Sequence, residues 1–103
     1  MKRQIVILLA AVLILPGTVQ AAQLLAGAAK VDITDERGPV NDRLYARALA
    51  LKSGDTVALL VTVDAVSFGG IGYIKNDYLP NVRSKILKES GIPPGNTIFN
   101  ASH

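Results

Sequence analysis

The chain has 103 residues, no cysteine, and eleven Lys and Arg against eight Asp and Glu, for a formal net charge of +3. That length allows one domain at most, and the lack of cysteine excludes disulfides and thiolate metal sites. The positive balance does not mark a nucleic-acid binder: two bases and no acid fall within Met1–Ala22, leaving nine bases against eight acids, spaced apart and interleaved.

Met1–Ala22 has the make-up of an export leader. Lys2 and Arg3 form a basic start, Ile5–Leu15 is an uncharged apolar core, Pro16 and Gly17 break it, and Val19-Gln20-Ala21 supplies small residues at the cleavage spacing. The apolar core falls well short of the about 20 residues that span a bilayer, so cleavage rather than anchoring is expected. The product is then secreted or periplasmic, with no stable membrane span. No cysteine follows the core to carry a lipid.

Residues 23–103 are expected to form the folded part. Ala26–Thr34 (AGAAKVDIT) passes from small residues into an alternation with Val31 and Ile33 on one side, the pattern of a half-buried strand near a sheet edge. Asp35–Asp42 (DERGPVND) carries loop signals throughout. Arg43–Leu51 (RLYARALAL) also suits a short helix, but the tight turn Lys52-Ser53-Gly54-Asp55 favours a strand joined to the next run as a hairpin. That run, Asp55–Asp64 (DTVALLVTVD), is the most continuous apolar stretch of this part, rich in β-branched residues, and it predicts a central strand covered on both faces.

Ala65–Tyr73 (AVSFGGIGY) places three glycines within Gly69–Gly72, which reads either as a flexible loop over a site or as a plain strand-to-helix connection. It matches neither phosphate-binding pattern, since no Lys-Ser/Thr follows and G-x-G-x-x-G is not met. Ile74–Ser90 is the best helix: Ile74, Tyr78, Val82 and Ile86 recur at fourfold spacing, while Lys75, Arg83, Lys85, Lys88 and Glu89 fall on the solvated face. Pro80 either sits in the first turn of a later-starting helix or kinks a longer one, and Gly91 followed by Pro93-Pro94 ends it. Thr97–Asn100 (TIFN) then opens a last strand that runs into Ala101-Ser102-His103.

The expected fold class is thus α/β: a mixed sheet with a β-hairpin followed by a parallel β-α-β crossover. The chain stops straight after a strand, which suggests an incomplete domain. Parallel strands end on the same sheet edge, where ligands bind in open α/β folds, and this sets Asp64 and His103 together. By itself, an acid ending a strand is more often a loop cap, and a lone His more often structural. One His and no Cys cannot build a typical three-ligand zinc site.

The segments AGAAKVDIT, LYARALAL, VALLVTVD and above all Gly91–His103 (GIPPGNTIFNASH) resemble, in the same order, the N-terminal region of the neutral/alkaline non-lysosomal ceramidases. In that family the last segment continues into T-H-S-G-P. The resemblance implies an exported zinc-dependent amidase that cleaves the N-acyl bond of ceramide or a related N-acyl lipid, its zinc held by two histidines, a glutamate and a tyrosine dispersed over a longer chain. It makes His103 a candidate zinc ligand, the alternative being the His that follows it in the family motif. It also makes Asp64 a carboxylate that shapes the site without binding the metal. Asp35–Asp42 is shorter than the family's loop, and the segment after His103, with the remaining ligands, is missing, so the fragment is expected to be inactive alone. The competing reading is a small exported binding or structural module without catalysis.

Overall fold

A computed structural model describes residues 23–103; the expected export leader, residues 1–22, lies outside the described residues. Four strands form one sheet in the order β1 (Leu24–Asp32), β2 (Tyr45–Ser53), β3 (Thr56–Val63), β4 (Thr97–Ala101). β1, β2 and β3 run antiparallel, while β3 and β4 are parallel and joined through helix α1 (Tyr78–Ser90) and a 3-10 turn at Pro94–Asn96. This is the mixed sheet, hairpin then crossover, expected from the sequence.

Each connection has a local cause. Gly54 takes a left-handed φ of +57° between Ser53 and Thr56, which closes a two-residue hairpin and fixes the register that puts Ala46 opposite Val63. The longer β1–β2 loop is tied at its base. The Ile33 N–H donates to the Leu44 carbonyl at 2.9 Å, and the Leu44 N–H donates to Thr34 Oγ1 at 2.9 Å. Arg43 then bridges Asp32 at 3.0 Å and Glu36 at 2.7 Å.

α1 starts at Tyr78, so Pro80 lies in its first turn, where no intrahelical N–H is required. It ends at Gly91, which adopts φ +76° and donates its N–H to the Leu87 carbonyl. Ile74 precedes the helix rather than joining its stripe. Arg83, expected on the solvated face, turns instead toward the sheet: its Nε donates to Thr97 Oγ1 at 3.0 Å and its guanidinium lies 5.3 Å from the Phe99 ring. The amphipathic count misplaced it because a long side chain can lay its stem along apolar surface while its head finds a buried acceptor.

The packed region lies between α1 and β3–β4. Val63 and Thr97 are the most enclosed side chains, at 6% and 7% exposure. The Thr97 hydroxyl donates to the Pro94 carbonyl at 2.7 Å while accepting from Arg83, so its burial leaves no polar atom unmatched. Phe68 bridges helix and sheet, stacked on Tyr78 at 5.7 Å and edge-on to Phe99 at 6.2 Å.

The expectation that β3 is covered on both faces fails. Residues paired across strands share a face, and on the side away from the Phe99 row the paired residues Ala28, Leu49, Leu60 and Ile98 form an apolar row across the sheet. Leu49, Leu60 and Ile98 are 39%, 38% and 63% exposed. The apolar run recorded what β3 can bury; among the described residues only the helix side is covered.

Candidate functional site

Asp64 follows β3 directly and Ser102–His103 follow β4, so the parallel pairing brings both ends to one sheet edge. The backbone holds them there. The Ser102 N–H donates to the Val63 carbonyl at 3.0 Å and the His103 N–H to the Ala65 carbonyl at 2.9 Å, which continues the ladder past the strand ends. His103 adopts φ +71°, a region that few non-glycine residues occupy.

The Asp64 carboxylate is engaged by three residues from two chain segments. Oδ2 accepts the Tyr45 backbone N–H at 2.8 Å, Oδ1 accepts the Ser102 hydroxyl at 2.8 Å, and Arg47 approaches both oxygens at 3.3–3.4 Å. The Tyr45 amide and then the Ser102 hydroxyl, aided by Arg47, hold the carboxyl below the usual carboxylate range, because each stabilises the charged form. Asp64 thus ties β2 to the strand ends of β3 and β4, and its lone pairs are largely spoken for. Tyr45 is positioned in turn by two cations, Lys30 Nζ at 4.5 Å and the Arg47 guanidinium at 5.1 Å from its ring centre.

An open cavity of about 810 Å³ lies at this edge. Ile33 and Leu44 from the base of the β1–β2 loop, with Val66 and Ile74 from the β3–α1 connection, give it an apolar wall, and the fully exposed Tyr73 stands at its rim. Asp64, Ser67, Ser102 and His103 line its polar side. Asp64 and His103, the two site residues expected from the sequence, therefore share one cavity.

The glycine segment forms one rim and is held in place. Asn76 Oδ1 accepts the Gly70 N–H at 2.8 Å, the Ser67 hydroxyl donates to the Gly69 carbonyl at 2.7 Å, and Gly69, Gly70 and Gly72 have φ of +153°, +77° and +79°. A Cβ on Gly69 would collide with Asn76 Oδ1. Glycine is required at Gly69 by a close approach as well as by dihedral angle.

Reading the sequence alone missed Ser102, Arg47 and Tyr45 as partners of Asp64. Two of them were accessible: a two-residue hairpin at Gly54-Asp55 puts Tyr45 opposite Asp64 and Arg47 one diagonal away. Ser102 had no independent signal, since its role depends on where β4 ends.

Among the described residues no group of three His, Asp or Glu could hold a metal ion, and no helix is long and apolar enough to cross a membrane. The chain matches no known family profile, no curated protein and no solved structure.

Proposed function

We propose that this chain is the N-terminal, substrate-holding part of an exported amidase acting on the N-acyl bond of ceramide or a related N-acyl lipid. The observation that carries the reading is the cavity itself, with an apolar wall suited to an acyl chain and a polar edge at Asp64, Ser102 and His103 suited to an amide. Export rests on the leader-like make-up of Met1–Ala22.

In this arrangement Ile33, Leu44 and Ile74 take the acyl chain by burying apolar surface. Of the polar side chains at this edge, Asp64, Ser67 and Ser102 are hydrogen-bonded within the described residues and the His103 imidazole is not, so it is the group available to hydrogen-bond an amide. Asp64 acts indirectly, by fixing Ser102 and hence the backbone that carries His103.

The residues present do not form a zinc centre. His103 is the one described residue proposed as a donor, for the Asp64 oxygens already accept hydrogen bonds and face the Arg47 guanidinium, which would repel a cation. The chain alone is expected to bind without turnover. The non-catalytic module shares that binding and finds support in the same engagement of Asp64; the two readings part on whether the site supports turnover once further ligands are supplied.

The chain contains no tryptophan, so Tyr73→Trp places a unique fluorophore on the cavity rim. A saturable blue shift on adding a short-chain N-acyl amino alcohol is expected, together with no release of fatty acid. Release of fatty acid by the full chain, abolished both by a chelator and by His103→Ala, would overturn the assignment of inactivity; no spectral shift at any concentration would overturn the lipid-amide reading itself.

A further inference from the structure

We propose that two copies of the chain associate through β1, which adds antiparallel to β1 of the second copy about a two-fold axis at Ala28. The inference does not rest on the cavity or its ligand. Among the described residues β1 is an edge strand that is long, continuous and poorly guarded. β1 pairs nine consecutive residues with β2 without a bulge, contains no proline, and is exposed along its whole length. Edge strands are usually protected by outward charge, proline or a bulge. Here the two charges are drawn inward: Lys30 lies over the Tyr45 ring at 4.5 Å and Asp32 is paired with Arg43 at 3.0 Å. The opposite edge, β4, is five residues long, and the backbone after it folds back onto Val63 and Ala65.

The hydrogen-bond phase of β1 supplies the register. The Ile33 N–H donates to Leu44, so by antiparallel alternation Val31, Ala29, Gly27 and Leu25 bond inward to β2. Leu24, Ala26, Ala28, Lys30 and Asp32 then direct their N–H and C=O groups outward. A two-fold axis at Ala28 sets Ala28 against Ala28, Ala26 against Lys30 and Leu24 against Asp32 of the second copy. Every outward donor meets an outward acceptor, giving about ten new backbone hydrogen bonds. This is the register that pairs all nine residues end to end.

Side chains agree with that register. On the face shared with α1 it sets Leu25 opposite Val31 of the second copy, twice, and these two residues are 50% and 60% exposed in the single chain. Gly27 lies opposite Ala29, so nothing bulky separates the strands. Moving the axis to Lys30 would instead oppose two like charges, which is unfavourable. The product is one continuous eight-stranded sheet with β1 no longer an edge.

The test uses the full chain, whose lack of cysteine makes an introduced thiol unique. In a hydrogen-bonded antiparallel pair the two Cα atoms are about 5.5 Å apart, within the disulfide span. Ala28→Cys should therefore cross-link to a covalent dimer under mild oxidation. In Ala26→Cys the two thiols lie about 13 Å apart along the strands, and that variant should stay uncross-linked. Ala28→Pro removes an outward N–H that β2 does not use, so sedimentation should show a dimer for the natural chain and a monomer for this variant, with an unchanged far-ultraviolet circular dichroism spectrum. A natural chain that is monomeric over a wide concentration range, a dimeric Ala28→Pro, or equal cross-linking at both cysteines would each overturn the proposal.

Discussion

Val31 and Val63 stand in one row across the sheet, on the same face, joined through Ala46, yet one is 60% exposed and the other 6%. The difference lies in what crosses above them. The β3–α1–β4 half brings a helix over its strands and forms a packed layer; the β1–β2 half carries Gly27, Ala29, Ala48 and Ala50 on that face with little above them. Alternation in the sequence therefore assigns a face to a side chain but does not say whether that face is covered.

The sharpest way to break the comparison is to put a charge at both ends of the row. Val63→Asp buries an unpaired carboxylate and should cost about 3–5 kcal/mol in urea unfolding, enough to unfold a small domain. Val31→Asp, measured at a concentration low enough to keep the chain monomeric, should change stability by no more than about 0.5 kcal/mol, since in the single chain its site is open to water. Equal effects would show that the two halves are equally packed.

Next in size is Gly69→Ala. It brings a methyl group onto Asn76 Oδ1 at a φ that suits glycine, and a loss of about 1–3 kcal/mol is expected in thermal unfolding. Adding Asn76→Gly removes the clash but also the acceptor of the Gly70 N–H, so at most partial rescue is the expected result. Thr97→Val follows: it strips Arg83 Nε of its acceptor and the Pro94 carbonyl of its donor, for about 1–2 kcal/mol, while leaving volume nearly unchanged.

A smaller effect is expected at Asp64, and it depends on pH. Its folded pKa is lowered, so the carboxylate contributes stability that is fully present above the unfolded carboxylate range and is lost as pH falls through the folded value. Urea midpoints measured down the acid range should fall less steeply for Asp64→Asn than for the natural chain. The smallest effect belongs to Arg37→Ala. Its pair with Asp35, at 91% and 58% side-chain exposure, is a surface ion pair, and no change in midpoint is expected even at low salt.

Local chemistry explains which features could be read from the sequence. Gly54 and Gly91 each impose a backbone state, and the hairpin and the helix end followed from them, whereas Pro80 left a late helix start and a kinked longer helix equally open. The shared edge of Asp64 and His103 was legible because a crossover between adjacent strands leaves little choice of topology. The cover of β3 was not, for its apolar residues look the same whether one face or both are packed. Nor was the turn of Arg83 toward Thr97, since helical periodicity counts charge and not the reach of a side chain. Strand ends moved by two residues at β1, where Ile33 keeps a ladder bond to Leu44 without belonging to the strand.

The central claim is that the edge carrying Asp64 and His103 holds an acylated amide in an apolar cavity. Isothermal titration of the full chain with a short-chain N-acyl amino alcohol tests it most directly, with Leu44→Asp as the comparison, since Leu44 lines the apolar wall. A single saturable site with a negative heat-capacity change, abolished by Leu44→Asp, is the predicted result. Binding that is absent, or that Leu44→Asp leaves unaltered, would contradict it.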